Sequence, residues 1–161
     1  MIPTSYLLRH NPNYYAYNQT NGAIPTTGKG IYNRAGRAYP DISALGDNGL
    51  VVYRGVPSLI GGTSMSAPLV GAILTRINEE RLNVGKGPLG FVNPALYQAF
   101  DQGLKLFNDI TVGNQALGGP FGARQRNACG NDGFHCVAGW DPVTGLGTPK
   151  YNAWLNYFLK L

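Results

Sequence analysis

The segment Gly61-Gly62-Thr63-Ser64-Met65-Ser66-Ala67-Pro68 has the layout that a nucleophilic serine requires. Small residues permit a tight, crowded turn. A serine at the head of a helix meets backbone N–H groups and a macrodipole that favour negative charge developing on an acyl intermediate. Thr63, Ser64 and Ser66 are equally N-cap candidates for a buried helix, the commonest reason for hydroxyls at such a place. A serine hydroxyl is a weak nucleophile and needs a base within hydrogen-bond reach, itself oriented by a third group. The only carboxylates before Ser64 are Asp41 and Asp47.

These residues need elements to hold them. Gly49-Leu50-Val51-Val52-Tyr53 and Ser58-Leu59-Ile60 are short, apolar and bounded by turn residues, which predicts two strands. A helix is predicted from Ser64 to about Leu82, with Pro68 in its first turn, where a missing N–H costs nothing, and Gly85 as a stop beyond it. Between Ala67 and Ile77 only Thr75 and Arg76 are polar, so this helix is expected to be central and covered on most sides. Two short strands and loops are too little to sandwich it. Its natural setting is a parallel sheet with helices on both faces, and those layers are expected to lie outside this chain. Downstream, Asn93 to Phe100 reads as a short helix and Asp101 to Gly147 as irregular chain. Thr148-Pro149 is expected to cap a last helix with Tyr151, Trp154, Leu155, Phe158 and Leu159 on one face. The first forty residues, rich in Asn, Tyr, Gly and Pro, read as ordered loop. With no repeat or linker, residues 1–161 are expected to form one unit.

Composition narrows the function classes. The chain has 161 residues, 43% hydrophobic, enough for a sizeable core, and only 13% charged, which suits a loop-rich extracellular protein. The net charge of +5 is scattered, without the basic runs interleaved with aromatics that mark nucleic-acid binding. No stretch approaches the roughly 20 apolar residues of a membrane span, and residues 1–10 lack the apolar core of a signal peptide. Asn18-Gln19-Thr20 is a glycosylation sequon and Cys129 and Cys136 form a close pair, both at home in an oxidising secretory route. Loss of an N-terminal part would reconcile these signs with the missing signal. Gly28-Lys29-Gly30 is not a phosphate-binding loop, because Gly22 is one residue too far and no Ser or Thr follows the lysine.

Gly-Thr-Ser at the head of an apolar helix is shared by subtilisins and sedolisins, and the doubled glycine before Thr63 resembles the sedolisins, the serine-carboxyl peptidases. So do Gly36 to Ala44 around Tyr39-Pro40-Asp41, Ile77-Asn78-Glu79, Gly90-Phe91-Val92-Asn93-Pro94, and Gly139-Trp140-Asp141-Pro142-Val143-Thr144-Gly145-Leu146-Gly147-Thr148-Pro149. The resemblance runs in order from about residue 30 to 161. It implies a partial α/β fold of subtilisin type: the C-terminal portion of a parallel-sheet, doubly wound peptidase domain with a Gly-rich calcium-binding loop region.

The resemblance also implies what is missing. Sedolisins use a glutamate base backed by an aspartate, and a further aspartate stabilises the oxyanion. All three lie N-terminal to the serine, farther away than the 63 residues present here. Asp41 then holds a structural position and Asp47 lies in a turn-like Gly46-Asp47-Asn48-Gly49. Nothing around His10 or His135 resembles a subtilisin histidine motif. The implied parent is a secreted, acid-acting endopeptidase or tripeptidyl peptidase of the fungal kind, taking peptide or protein substrates through an acyl-enzyme on Ser64. This chain alone is expected to be inactive without the N-terminal portion of the domain. The competing reading is a non-catalytic, calcium-stabilised binding module derived from a peptidase.

One Ca²⁺ ion is the implied metal. A hard cation wants six or more oxygens, which irregular Gly-rich backbone can supply as carbonyls. Phe107 to Gly113 resembles the family segment in which an aspartate and the next carbonyl bind calcium, giving Asp109 and Ile110. Val137 to Asp141 resembles the other half, giving the carbonyls of Val137 and Gly139 and the carboxylate of Asp141, with Val137 where many relatives have glycine. Asp109 and Asp141 could instead simply cap turns. Cys129 and Cys136 flank a loop between these segments, and a disulfide closing it would stabilise by roughly 2.5 kcal/mol. A zinc site on Cys129, His135 and Cys136 lacks a fourth ligand, and adjacent residues cannot easily share a tetrahedral ion.

Overall fold

The computed structural model describes residues 37–114 and 134–161. Their element order is β1 (Gly49–Tyr53), β2 (Val56–Ile60), α1 (Thr63–Asn83), α2 (Asn93–Asp101), β3 (Phe107–Asn108), β4 (Thr148–Pro149) and α3 (Tyr151–Phe158). They fall into two compact units, each assembled from segments distant in sequence: Ile42–Asn108 with Thr148–Leu161, and residues 37–41 with 109–114 and 134–147.

In the larger unit, β1 and β2 form an antiparallel hairpin in the register Gly49↔Ile60 to Tyr53↔Val56. Arg54, with φ 51°, and Gly55, with φ 79°, supply the left-handed pair that a tight hairpin turn demands. The other sheet, β3 with β4, is also antiparallel. Every strand pair among the described residues is therefore antiparallel, and the expected parallel sheet is not among them.

The helix α1 is longer than the sequence predicts. It starts at Thr63, which puts Pro68 in the second turn, where it cannot donate to the carbonyl of Ser64. It is also far less covered than expected. Ile77 and Arg81 are buried, and Val70, Ile73 and Leu74 are half-buried on the same stripe. Ala67, Pro68, Leu69, Gly71 and Ala72 lie exposed. The described residues supply a layer for one side of an all-round apolar helix and none for the other.

That layer is a small aromatic core. Trp154 and Phe158 of α3 are essentially fully buried with Ile77, Leu96, Ala99, Leu106 and Phe107. Trp154 meets the edges of Phe107 and Phe158 at centroid separations of 5.6 and 5.8 Å, the T-shaped arrangement that ring quadrupoles favour. The C-terminal end of α3 is closed by cations. Arg81 donates Nε–H to the Gly87 carbonyl at 2.8 Å and another N–H to the Phe158 carbonyl, and Lys86 donates to Leu159. Cations there satisfy end carbonyls and complement the helix dipole. Thr148-Pro149 does not cap α3 as expected. It pairs with β3, and Lys150 occupies the N-cap position.

In the smaller unit, Trp140 is buried and donates its indole N–H to the Pro40 carbonyl at 2.9 Å, across 100 residues of sequence. The Leu146 N–H donates to the Asp41 carbonyl. Both carboxylate oxygens of Asp41 also accept from one guanidinium nitrogen of Arg37. Asp41 is thus a structural residue, as its Tyr-Pro-Asp setting implies.

Candidate active site

Ser64 stands on the first turn of α1, exposed. The turn that delivers it depends on Gly62, which has φ 121°, a conformation open to glycine and strained for any residue with a Cβ. The Met65 N–H returns to the Gly62 carbonyl at 2.9 Å and closes the turn.

None of the three hydroxyls caps α1. Ser66 reaches backwards and donates to the Ala44 and Leu45 carbonyls, at 3.2 and 3.1 Å. The Gly62 N–H donates to the Gly46 carbonyl. A Cβ on Gly46 would lie 2.7 Å from Ser66 Oγ, and one on Gly61 would lie 2.8 Å from Asp47 Oδ1. The loop 44–47 therefore crosses the helix head at van der Waals contact, and small residues on both sides are a steric requirement. Sequence reasoning missed this clamp. Its signal was Gly46 facing Gly61-Gly62, glycines far apart in sequence that only tertiary structure pairs. Among the described residues no hydrogen bond joins Ser64 to a carboxylate or an imidazole, so its hydroxyl is neither a cap nor activated.

The smaller unit holds the predicted metal residues. Asp109 Oδ2 accepts the Gly139 N–H at 2.8 Å, which joins the two segments across 30 residues of sequence. Asp141 is fully buried. Its Oδ1 accepts the N–H groups of Val143 at 2.9 Å and Thr144 at 2.8 Å, and its Oδ2 accepts the Val137 N–H at 3.1 Å. The Thr144 hydroxyl lies 3.2 Å from Oδ1. Asp141 thus organises the turn to Gly145. Gly139 has φ 86°, whereas Val137 is not in the left-handed region, so its β-branched side chain is unstrained. Among the described residues, the carbonyls of Ile110, Val137 and Gly139 accept no backbone hydrogen bond. No group of three or more His, Cys, Asp or Glu side chains suited to a metal occurs among the described residues. Any ion here would rest on two carboxylates and on backbone oxygen, a donor set that suits calcium.

Cys136 is a buried free thiol. Burial pushes its pKa up, and the negative charges of Asp141 and Asp109 push it further, so both carboxylates act on one sulfur. Its expected partner Cys129 lies outside the described residues, as do His10 and the sequon at Asn18. His135 is exposed beside Cys136 and bridges to Asn114.

No family model matches the chain. Among curated proteins, it is 49% identical over 156 residues to tripeptidyl-peptidase sed1 of Aspergillus fumigatus, covering 97% of this chain and 22% of that protein. It is 45% identical over 159 residues to aorsin of Aspergillus oryzae, covering 98% and 22%. Tripeptidyl-peptidase 1 of Macaca fascicularis is 44% identical over 132 residues, covering 81% and 22%. Among solved structures, Pseudomonas sedolisin, a serine-carboxyl proteinase complexed with two molecules of pseudo-iodotyrostatin, superposes with a TM-score of 0.53 at 25% identity. That match covers 69% of this chain and 26% of the other. The chain's fold matches part of the subtilisin-like fold of a serine-carboxyl proteinase. More narrowly, the chain belongs to the sedolisin family and matches its C-terminal part. It spans about a fifth of the length of the curated relatives it matches.

Proposed function

We propose that this chain is the nucleophile-bearing, C-terminal portion of a sedolisin-type peptidase domain that hydrolyses peptide or protein substrates in acid. The observation that carries the reading is the Ser64 hydroxyl at the head of α1, spared from capping while Ser66 anchors the turn. In the reaction, Ser64 Oγ attacks the scissile carbonyl carbon and gives its proton to a carboxylate base. The amine leaves with a proton, and water then hydrolyses the ester and restores Ser64. A carboxylate base must stay ionised to work, and a carboxylic acid protonates a leaving amine best at low pH, so the chemistry favours acid. Neither Asp41, held by Arg37 and Leu146, nor Asp47, placed against Gly61, supplies that base. The chain alone is therefore inactive.

Asp109, Ile110, Val137, Gly139 and Asp141 would hold one Ca²⁺, through two carboxylates and three carbonyls, and the ion would supply rigidity to these loops. The Gly139–Asp109 contact and the three carbonyls without acceptor roles support this set. The low charge and the Cys129–Cys136 pair support a secreted setting in which the two sulfurs bond, and a disulfide-linked peptide in a non-reducing digest checks it.

The decisive experiment replaces the matched segment of the Aspergillus fumigatus relative with this chain. The chimera is expected to cleave peptides at acid pH and to lose at least 10³-fold of its turnover on Ser64→Ala. A folded chimera without turnover would establish the non-catalytic module instead.

A further inference from the structure

Asp47 is the one carboxylate between Ile42 and Asn78, and it lies against the turn that delivers Ser64. A Cβ built on Gly61 would stand 2.8 Å from Asp47 Oδ1 and 3.2 Å from the Gly46 carbonyl oxygen. Gly61, unlike Gly62, is not in the positive-φ region, so its backbone conformation makes no demand for glycine. The demand comes from the carboxylate, which fills the space that a side chain at position 61 would need.

Asp47 Oδ1 accepts the Asn48 N–H at 2.8 Å, which holds the carboxylate in place. Among the described residues Oδ2 accepts no hydrogen bond and Asp47 forms no ion pair, whereas Asp41 has Arg37. The cation nearest in sequence, Arg54, lies instead over the Tyr53 ring at the hairpin tip. Asp47 is exposed, as are Gly61, Gly62, Thr63 and Ser64. Three residues of extended chain span at most about 11 Å, which bounds the distance from Gly61 to Ser64. An extended peptide advances about 3.3 Å per residue, so Asp47 stands within about four substrate residues of the bond that Ser64 attacks. A fixed charge without a partner at that range discriminates between substrates: it attracts an opposite charge and rejects a like one.

We propose, resting on Ser64 as the nucleophile, that Asp47 determines specificity by accepting from the ammonium or guanidinium of a substrate Lys or Arg near the scissile bond. The free oxygen, Oδ2, is the acceptor. The flexible stem of lysine lets its ammonium meet a fixed carboxylate, and the guanidinium fork of arginine does the same with two donors. A substrate Glu or Asp at that position meets a like charge and is disfavoured. Asp47 thus selects basic peptides without acting on the reacting atoms.

The test uses the chimera and a set of otherwise identical peptides in which about four positions on either side of the scissile bond carry Lys, Gln or Glu in turn. At one position kcat/KM is expected to run Lys over Gln over Glu, with Lys about three- to fivefold above Gln, the scale of an exposed ion pair. The assay is run at the least acid pH at which the chimera turns over, where carboxylates carry most charge. The ratio is expected to fall toward one as salt is raised from about 0.05 to about 0.5 M. Asp47→Asn keeps an acceptor for the Asn48 N–H, so it is expected to erase the ratio while leaving the chimera's melting temperature unchanged. Gly61→Ala is expected to displace the carboxylate and erase the ratio too, with no further loss in the double variant. An active chimera whose Lys-to-Gln ratio is one at every position, or is unmoved by Asp47→Asn or by salt, would overturn the proposal and leave the peptidase function standing. A folded chimera without turnover would overturn both.

Discussion

Replacing Asp141 with alanine removes the acceptor for three backbone N–H groups, those of Val137, Val143 and Thr144, at a position with no solvent exposure. A buried donor left without a partner costs about 1–3 kcal/mol. The three donors belong to half-buried residues that water can partly reach, so the lower end applies to each and the sum is about 3 kcal/mol. For a chain of this size 1 kcal/mol shifts the melting temperature by roughly 2–4 °C, giving an expected fall of about 6–12 °C. Asp141→Asn keeps one oxygen acceptor but turns an amide N–H toward a backbone donor, and is expected to lose about half as much. The assay is calorimetric melting in chelator, which isolates the turn from any ion. A fall under about 2 °C for Asp141→Ala would refute the reasoning. In saturating Ca²⁺ the gap is expected to widen, because the parent chain gains about 2.7 kcal/mol when the ion is at 100 times its Kd.

Asp109→Ala is expected to abolish the rise in melting temperature on adding Ca²⁺ while costing less than Asp141→Ala in chelator, since Asp109 is exposed and accepts one N–H; melting curves with and without the ion check this. Arg81→Met leaves the Gly87 and Phe158 carbonyls without their donor and is expected to destabilise by about 2 kcal/mol, with Arg81→Lys failing to rescue, by urea unfolding. Gly62→Ala, at φ 121°, is expected to cost about 1–2 kcal/mol and to cut the chimera's kcat more than its KM, because the strain falls on the turn that aims Ser64.

The sequence by itself determined the local chemistry. Apolar runs bounded by Gly and Pro marked β1, β2, α1 and α2 to within a few residues, because strands and helices are selected by local propensity and periodicity. The serine turn was legible for the same reason: the positive φ of Gly62 is a requirement on one residue. The order of the Tyr-Pro-Asp, Asn-Pro and Gly-Trp-Asp segments identified the family before any coordinate did.

Tertiary structure decided the pairings. That Ser66 bonds Ala44 and Leu45, that Gly139 bonds Asp109 and that Thr148-Pro149 pairs with Phe107-Asn108 depends on contacts between distant segments, to which no local rule applies. The exposed side of α1 is the clearest instance. An apolar helix face states that it must be covered, but only packing shows which stripe this chain covers and which it leaves to another surface.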